Sequence, residues 1–157
     1  MMRKMAAAMI LCLLFTITVT GYVYSKSTTK QMSIQGTVPL MLKYQITRQP
    51  TVLAVTSKDL SKGYVDSLNS VYLSVTTNNQ NGYIIVVALK NLPFFSSAAV
   101  TVGNKSINIP VGSSGEIRMP YEGSATLTKR LSFRFRLTPE AMATQYEWPV
   151  VIMVNPI

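Results

Sequence analysis

From Met32 to Ile46 every second residue is apolar or small: Met32, Ile34, Gly36, Val38, Leu40, Leu42, Tyr44 and Ile46 alternate with the mostly polar set Ser33, Gln35, Thr37, Pro39, Met41, Lys43, Gln45 and Thr47. Successive side chains of extended backbone point to opposite faces, so this parity describes a strand with one buried side. At about 3.3 Å per residue the run would reach about 45–50 Å, whereas strands of compact domains usually cover about 17–20 Å. Two solutions exist. Either the chain turns at Pro39 and forms two strands, or the segment before Pro39 leaves its own domain and completes a neighbour's sheet.

The 157 residues suffice for one domain and a targeting segment. Met1-Met2-Arg3-Lys4 is a positive start, followed by an uncharged stretch over residues 5–24 and then Ser25-Lys26. This pattern reads as a secretory signal over residues 1–25 or, since about 20 uncharged residues can span a bilayer, as a signal-anchor helix. Cys12 is the only cysteine and lies inside this stretch behind Leu11, where a lipoprotein signal needs a small residue. The exported part therefore has neither a disulfide nor a thiolate metal site available. Packing, or strand exchange with partners, must hold it together.

Beyond the extension over residues 26–39, the remainder, 40–157, reads as one domain of short strands. A body strand is expected over 40–46 and a short one over 51–56, with a polar stretch over 57–70 that could carry one helical turn. Residues 71–77 and 83–89 flank Asn78-Asn79-Gln80-Asn81-Gly82, which reads as a hairpin. A second hairpin is expected around Gly103-Asn104-Lys105, a clearly alternating strand over 131–137, one helical turn near 139–145 and a last strand over 146–155. Sustained helical periodicity is confined to the export segment. The expected fold class is all-β, an antiparallel β-sandwich of immunoglobulin-like type preceded by a signal or anchor helix.

Catalytic chemistry has few carriers here. Histidine is absent and only six carboxylates are present, so the usual general base and metal ligand are missing. Asp59 and Asp66, the closest carboxylates, have Lys58 and Lys62 beside them and read as solvated surface. Gly112-Ser113-Ser114-Gly115 lacks the strand-to-helix context of a nucleophile elbow. No catalytic residue, metal ligand or cofactor is assigned, and the expected role is non-enzymatic.

Lysine and arginine outnumber aspartate and glutamate 15 to 6. In an exported chain such charge favours anionic glycans, lipid or a cell surface over nucleic acid. Arg130, Arg134 and Arg136 share one parity opposite Leu131, Phe133, Phe135 and Leu137. Same-face neighbours lie about 7 Å apart, so the guanidinium groups could grip a sulfate, phosphate or carboxylate, or simply keep a solvent-facing strand from aggregating. Trp148 could offer a platform to a sugar, but its place between Tyr146 and a run of valines favours the core.

The export signal, the absence of disulfides, the alternating extension Met32-x-Ile34-x-Gly36-x-Val38 and the final segment Gln145-Tyr146-Glu147-Trp148-Pro149-Val150-Val151-Ile152-Met153-Val154 together resemble subunits of chaperone-usher fimbriae, nearest to the cysteine-free pilins of the alternate class. The resemblance implies a sandwich lacking one strand, filled first by a periplasmic chaperone and then by the extension of the next subunit at an outer-membrane usher. It implies a donor-strand role for Met32, Ile34, Gly36 and Val38, neighbouring pilin subunits as partners, and passage through the periplasm to a surface fimbria. The alternatives are a self-complete exported sandwich that binds an anionic glycan or lipid, and an envelope accessory protein anchored in the inner membrane. The cysteine pair of many fimbrial subunits is absent, and Pro149 fits a last strand only at a sheet edge.

Overall fold

The structure, a computed structural model, describes residues 36–157. The chain divides into two units, Met1–Thr37 and Val38–Ile157. The expected signal or anchor, Met32 and Ile34 lie outside the described residues. The second unit is all-β, with antiparallel sheets packed together in a sandwich-like arrangement. Its elements run β1 (Leu42–Arg48), β2 (Val52–Ala54), α1 (Ser57–Lys62), β3 (Tyr64–Thr77), β4 (Tyr83–Leu89), β5 (Phe95–Val102), β6 (Lys105–Pro110), β7 (Ser114–Met119), β8 (Leu127–Leu137), β9 (Gln145–Glu147) and β10 (Val150–Pro156). One sheet has the order β1-β3-β8-β5-β6, a second β10-β4-β7, and β2 pairs with β9.

Strand β8 shows how the sequence specifies a layer. Leu131, Phe133 and Phe135 are buried and Arg130, Arg134 and Arg136 exposed, the alternation that a half-buried strand requires. Phe133 and Phe135 meet Trp148 edge-on, at centroid distances of 5.4 and 5.6 Å. Trp148 is thus a core residue, as its neighbours suggest. Its indole joins the two layers through the edge-to-face geometry that ring quadrupoles favour.

The expected hairpin over 71–89 is corrected by the topology. Both strands exist, but β3 pairs with β1 and β8 whereas β4 pairs with β10 and β7, so the chain arches from one sheet to the other. The arch has its own hydrogen bonds in place of a ladder. Buried Asn79 donates from Nδ2 to the Gly82 carbonyl (2.9 Å), accepts from the Asn81 N–H (3.1 Å), and donates its own N–H to Thr77 Oγ1 (3.0 Å). Gly82 has φ +89°, and a Cβ there would lie 2.1 Å from the Met119 carbonyl oxygen. Only glycine fits this position.

Three further expectations change. The polar stretch 57–70 holds α1, capped by Thr56 and ended by Gly63 at φ 75°, but also the first half of β3. A bulge interrupts that strand, with Asn69 at φ 46° donating its N–H to Ser132 Oγ (2.9 Å). No helix forms near 139–145. The last strand is broken at Trp148-Pro149: the Trp148 N–H bonds to the Thr51 carbonyl (2.9 Å) alongside β2, and the Pro149 carbonyl accepts from the Lys90 N–H (2.8 Å) next to β4. Proline, with no N–H, sits where the chain changes partner.

Candidate functional site

Among the described residues, the flank of the sandwich formed by β1 and β10 is open. Both are edge strands of their sheets. In an antiparallel pair, directly opposite residues alternate between exchanging hydrogen bonds and pointing their backbone groups away. The Lys90 N–H bond to Pro149 sets the phase for β10: residues 151, 153 and 155 bond to β4, and Val150, Ile152 and Val154 present N–H and C=O to the free edge. The Leu89 N–H bond to Ser113 (2.9 Å) on the opposite side of β4 fixes the same phase independently. Gln49 Nε2 reaches the Val150 carbonyl at 3.4 Å from that free side. Only the first of these edge residues has such a partner among the described residues.

The facing edge of β1 is built alike. The Asn78 N–H bonds to the Met41 carbonyl (3.2 Å), so residues 43 and 45 face β3 and the backbone groups of Leu42, Tyr44 and Ile46 face outward from the ladder. Their side chains are opposite Thr77, Val75 and Leu73, all buried, and therefore point toward the interior layer. Nevertheless Tyr44 is 44 % exposed, and Leu42 and Ile46 are only partly covered. Contiguous apolar side chains left partly exposed mark a surface available for interaction. Near the start of β10 the open flank forms a cleft of about 530 Å³ lined by Ile46, Pro50, Trp148, Val150 and Ile152. The buried Trp148 indole N–H has no hydrogen-bond partner among the described residues.

The opposite flank is closed. Strands β6 and β7 follow each other through a short turn, and a Cβ on Gly115 would lie 2.7 Å from Ile107 Cδ1 and 2.9 Å from Ile109 Cγ1. The Lys105 ammonium also donates to the Arg118 carbonyl across it. Openness at β1 and β10 is therefore a local property.

Of the predicted donor residues, Gly36 and Val38 are described; both are exposed, Val38 with 78 % of its surface free. The body strand begins at Leu42 rather than Leu40, because Pro39 and Met41 are held by Asn78: Met41 N–H donates to Asn78 Oδ1 (2.6 Å) and Asn78 Nδ2 to the Pro39 carbonyl (2.8 Å).

The arginines of β8 share the outer face of the larger sheet but not one environment. Arg134 is gripped by Asp66 through two hydrogen bonds (2.7 and 3.1 Å) and lies 4.4 Å from the Tyr64 ring centroid. The carboxylate partner raises the guanidinium pKa above its ordinary value. Arg130 and Arg48 lie on Tyr72, each 5.5 Å from its centroid. Arg136 has no side-chain partner among the described residues and borders a shallow cleft of about 520 Å³ with Lys62, Tyr64, Asn108 and Arg134. Asp59 belongs to the helix cap, where hydrogen bonds from Thr56 hold its carboxyl below the usual range. Asp59 and Asp66 thus have separate structural tasks.

The partly wet inner face of β1 and the free edge of β10 depend on which strands fail to be neighbours; the residues themselves show only the alternation over 40–46 and the continuous apolar run over 150–154. No family model matches the chain, and no curated protein or solved structure matches it.

Proposed function

We propose that this chain is a structural or adhesive subunit of a bacterial surface fimbria, assembled by donor-strand exchange. The observation that carries the reading is the unpaired edge of β10, with Val150, Ile152 and Val154 offering backbone groups opposite the partly wet apolar side chains of β1. Strand addition to such an edge supplies ladder hydrogen bonds and pockets for alternate side chains. The motif Met32-x-Ile34-x-Gly36-x-Val38 has the required alternation.

The finer fold reading is an immunoglobulin-like sandwich without its last strand. It is supported by the order β1-β3-β8-β5 facing β10-β4, and by Tyr146. The Tyr146 hydroxyl bonds back to Met142, accepting from its N–H (2.8 Å) and donating to its carbonyl (3.1 Å), the tyrosine corner that often precedes strand F in such folds. On this reading a periplasmic chaperone covers the edge before assembly, an outer-membrane usher hands it over, and further copies of the chain supply the donor strands.

The experiment compares the exported chain with a fusion that carries residues 32–38 after Ile157 through a short linker. The unfused chain is expected to form oligomers that persist on dilution or to unfold readily, and the fusion to form none that persist and to have a higher melting temperature. An unfused monomer of equal stability would contradict the proposal.

A second reading is favoured by Arg136, which shares a cleft with Lys62 and has no ion-pair partner among the described residues: the outer face binds an anionic glycan. Replacing Arg130, Arg134 and Arg136 by serine should abolish retention on sulfated or sialylated glycans while leaving the chain folded. Retention unchanged would exclude it.

A further inference from the structure

In the smaller sheet, β4 is apolar on both faces. The inner face of the sheet supplies Tyr83, Ile85, Val87 and Val150 to the core. Its outer face carries Ile84 and Val86 of β4, each only partly covered, beside Val151 and Met153 of β10, which are 45 % and 44 % exposed. Cross-strand register makes them one patch: Met153 is opposite Val86, and Val151 lies one step along the same face. An antiparallel sheet with one solvated face alternates apolar and polar residues, as β8 does; a continuous apolar run such as residues 83–89 describes a strand covered on both sides. Nothing among the described residues covers the outer side.

Charge at the border of the patch identifies the occupant. On β7, Glu116 is paired in register with Val86 and Arg118 with Ile84, so a carboxylate and a guanidinium stand on the same outer face one repeat apart. Both are exposed, and neither takes part in an ion pair among the described residues. A two-fold axis crossing the strands between these two rows would set Glu116 of one copy against Arg118 of the other, twice, with Val86 over Ile84 and Met153 over Asn155 of the second copy. Such a self-complementary patch is what an isologous interface needs.

We infer that the outer face of the β10-β4-β7 sheet is an association surface for a second copy of this chain, packed sheet on sheet through Ile84, Val86, Val151 and Met153 and oriented by reciprocal Glu116–Arg118 pairs. This contact uses a face, not the edge of β10. It does not depend on strand exchange, and lateral pairing of strand-exchanged polymers is where both would operate together.

The test is sedimentation velocity of the exported chain over a concentration series, for the wild type, Met153→Lys, Glu116→Arg, Arg118→Glu and the double reversal. The expected result is a dimer that dissociates on dilution. Met153→Lys and each single reversal should weaken it by about tenfold or more, and the double reversal should bring it back to near the wild-type affinity. A wild type that stays monomeric at every concentration would overturn the inference, as it must if the preceding segment or another molecule occupies this face. So would single reversals without effect, or a double reversal that fails to restore association. Oligomers that persist on dilution and ignore Glu116 and Arg118 belong to exchange at β10; they would overturn the face-to-face dimer and leave the fimbrial reading standing. A charge-sensitive dimer formed by a chain with a fully protected β10 edge would do the reverse.

Discussion

Asn79 Nδ2 donates to the carbonyl oxygen of Ile157 at 3.1 Å, tying the arch between the two sheets to the end of β10. The same arch holds the beginning of the body, since Asn78 bonds to Pro39 and Met41 and Thr77 Oγ1 donates to the Met41 carbonyl (3.0 Å). Pro39, near the start of the body, and Ile157, at the end of β10, are therefore held by one arch.

Replacing Asn79 by alanine removes its bonds to Gly82, Asn81 and Ile157 in a buried setting. The expected loss is about 1–3 kcal/mol, the usual penalty for leaving buried polar groups without partners. Urea denaturation measures it, with Gln80→Ala, at an exposed position of the same turn, expected to change little.

Trp148 joins the layers through Phe133 and Phe135, so Trp148→Ala should destabilise the fold by about 3–5 kcal/mol, and Trp148→Phe by clearly less. As the only tryptophan, its fluorescence should be blue-shifted in the folded chain and move to the red on unfolding. A red-shifted native spectrum would contradict its burial.

Tyr83 gives a pH signature. Its buried hydroxyl has no partner among the described residues, and burial, followed by the Glu122 carboxylate, pushes its pKa from 10 up to about 12. The fold thus favours the neutral phenol. That contribution is complete below pH 10 and is lost as pH rises through about 12, because the unfolded chain releases this proton first. Tyr83→Phe should flatten the alkaline decline in stability over this window. At neutral pH it should cost little, since the hydroxyl makes no bond to lose.

Tyr146→Phe removes the hydroxyl that both accepts from and donates to Met142. A loss of about 0.5–1.5 kcal/mol is expected, read as a lower denaturation midpoint at unchanged slope.

The parity of β8 and the burial of Trp148 were legible because they follow from residues adjacent in sequence. The arch at 78–82 was not: Asn-rich turn residues say that the chain reverses, whereas the sheet it returns to is decided by where Val71–Val75 and Ile85–Leu89 find distant partners. The break at Pro149 was half legible, since proline announces an interruption without naming the β2-to-β4 change of neighbour. The split of the alternation over 32–46 follows the same rule. Pro39 marked the division, but the start at Leu42 is set by Asn78, far along the chain. The open edge depends on an absent neighbour, and no local pattern encodes an absence.

The most direct measurement of the central claim is residue-resolved amide hydrogen exchange along β10. With the edge free, Ile152 and Val154 should exchange rapidly while Val151 and Met153, bonded to β4, are protected, and a donor segment of residues 32–38 fused after Ile157 should protect all four. Equal protection of Ile152 and Val154 in an unfused monomer would mean that the chain already completes its own sheet, and would contradict the account.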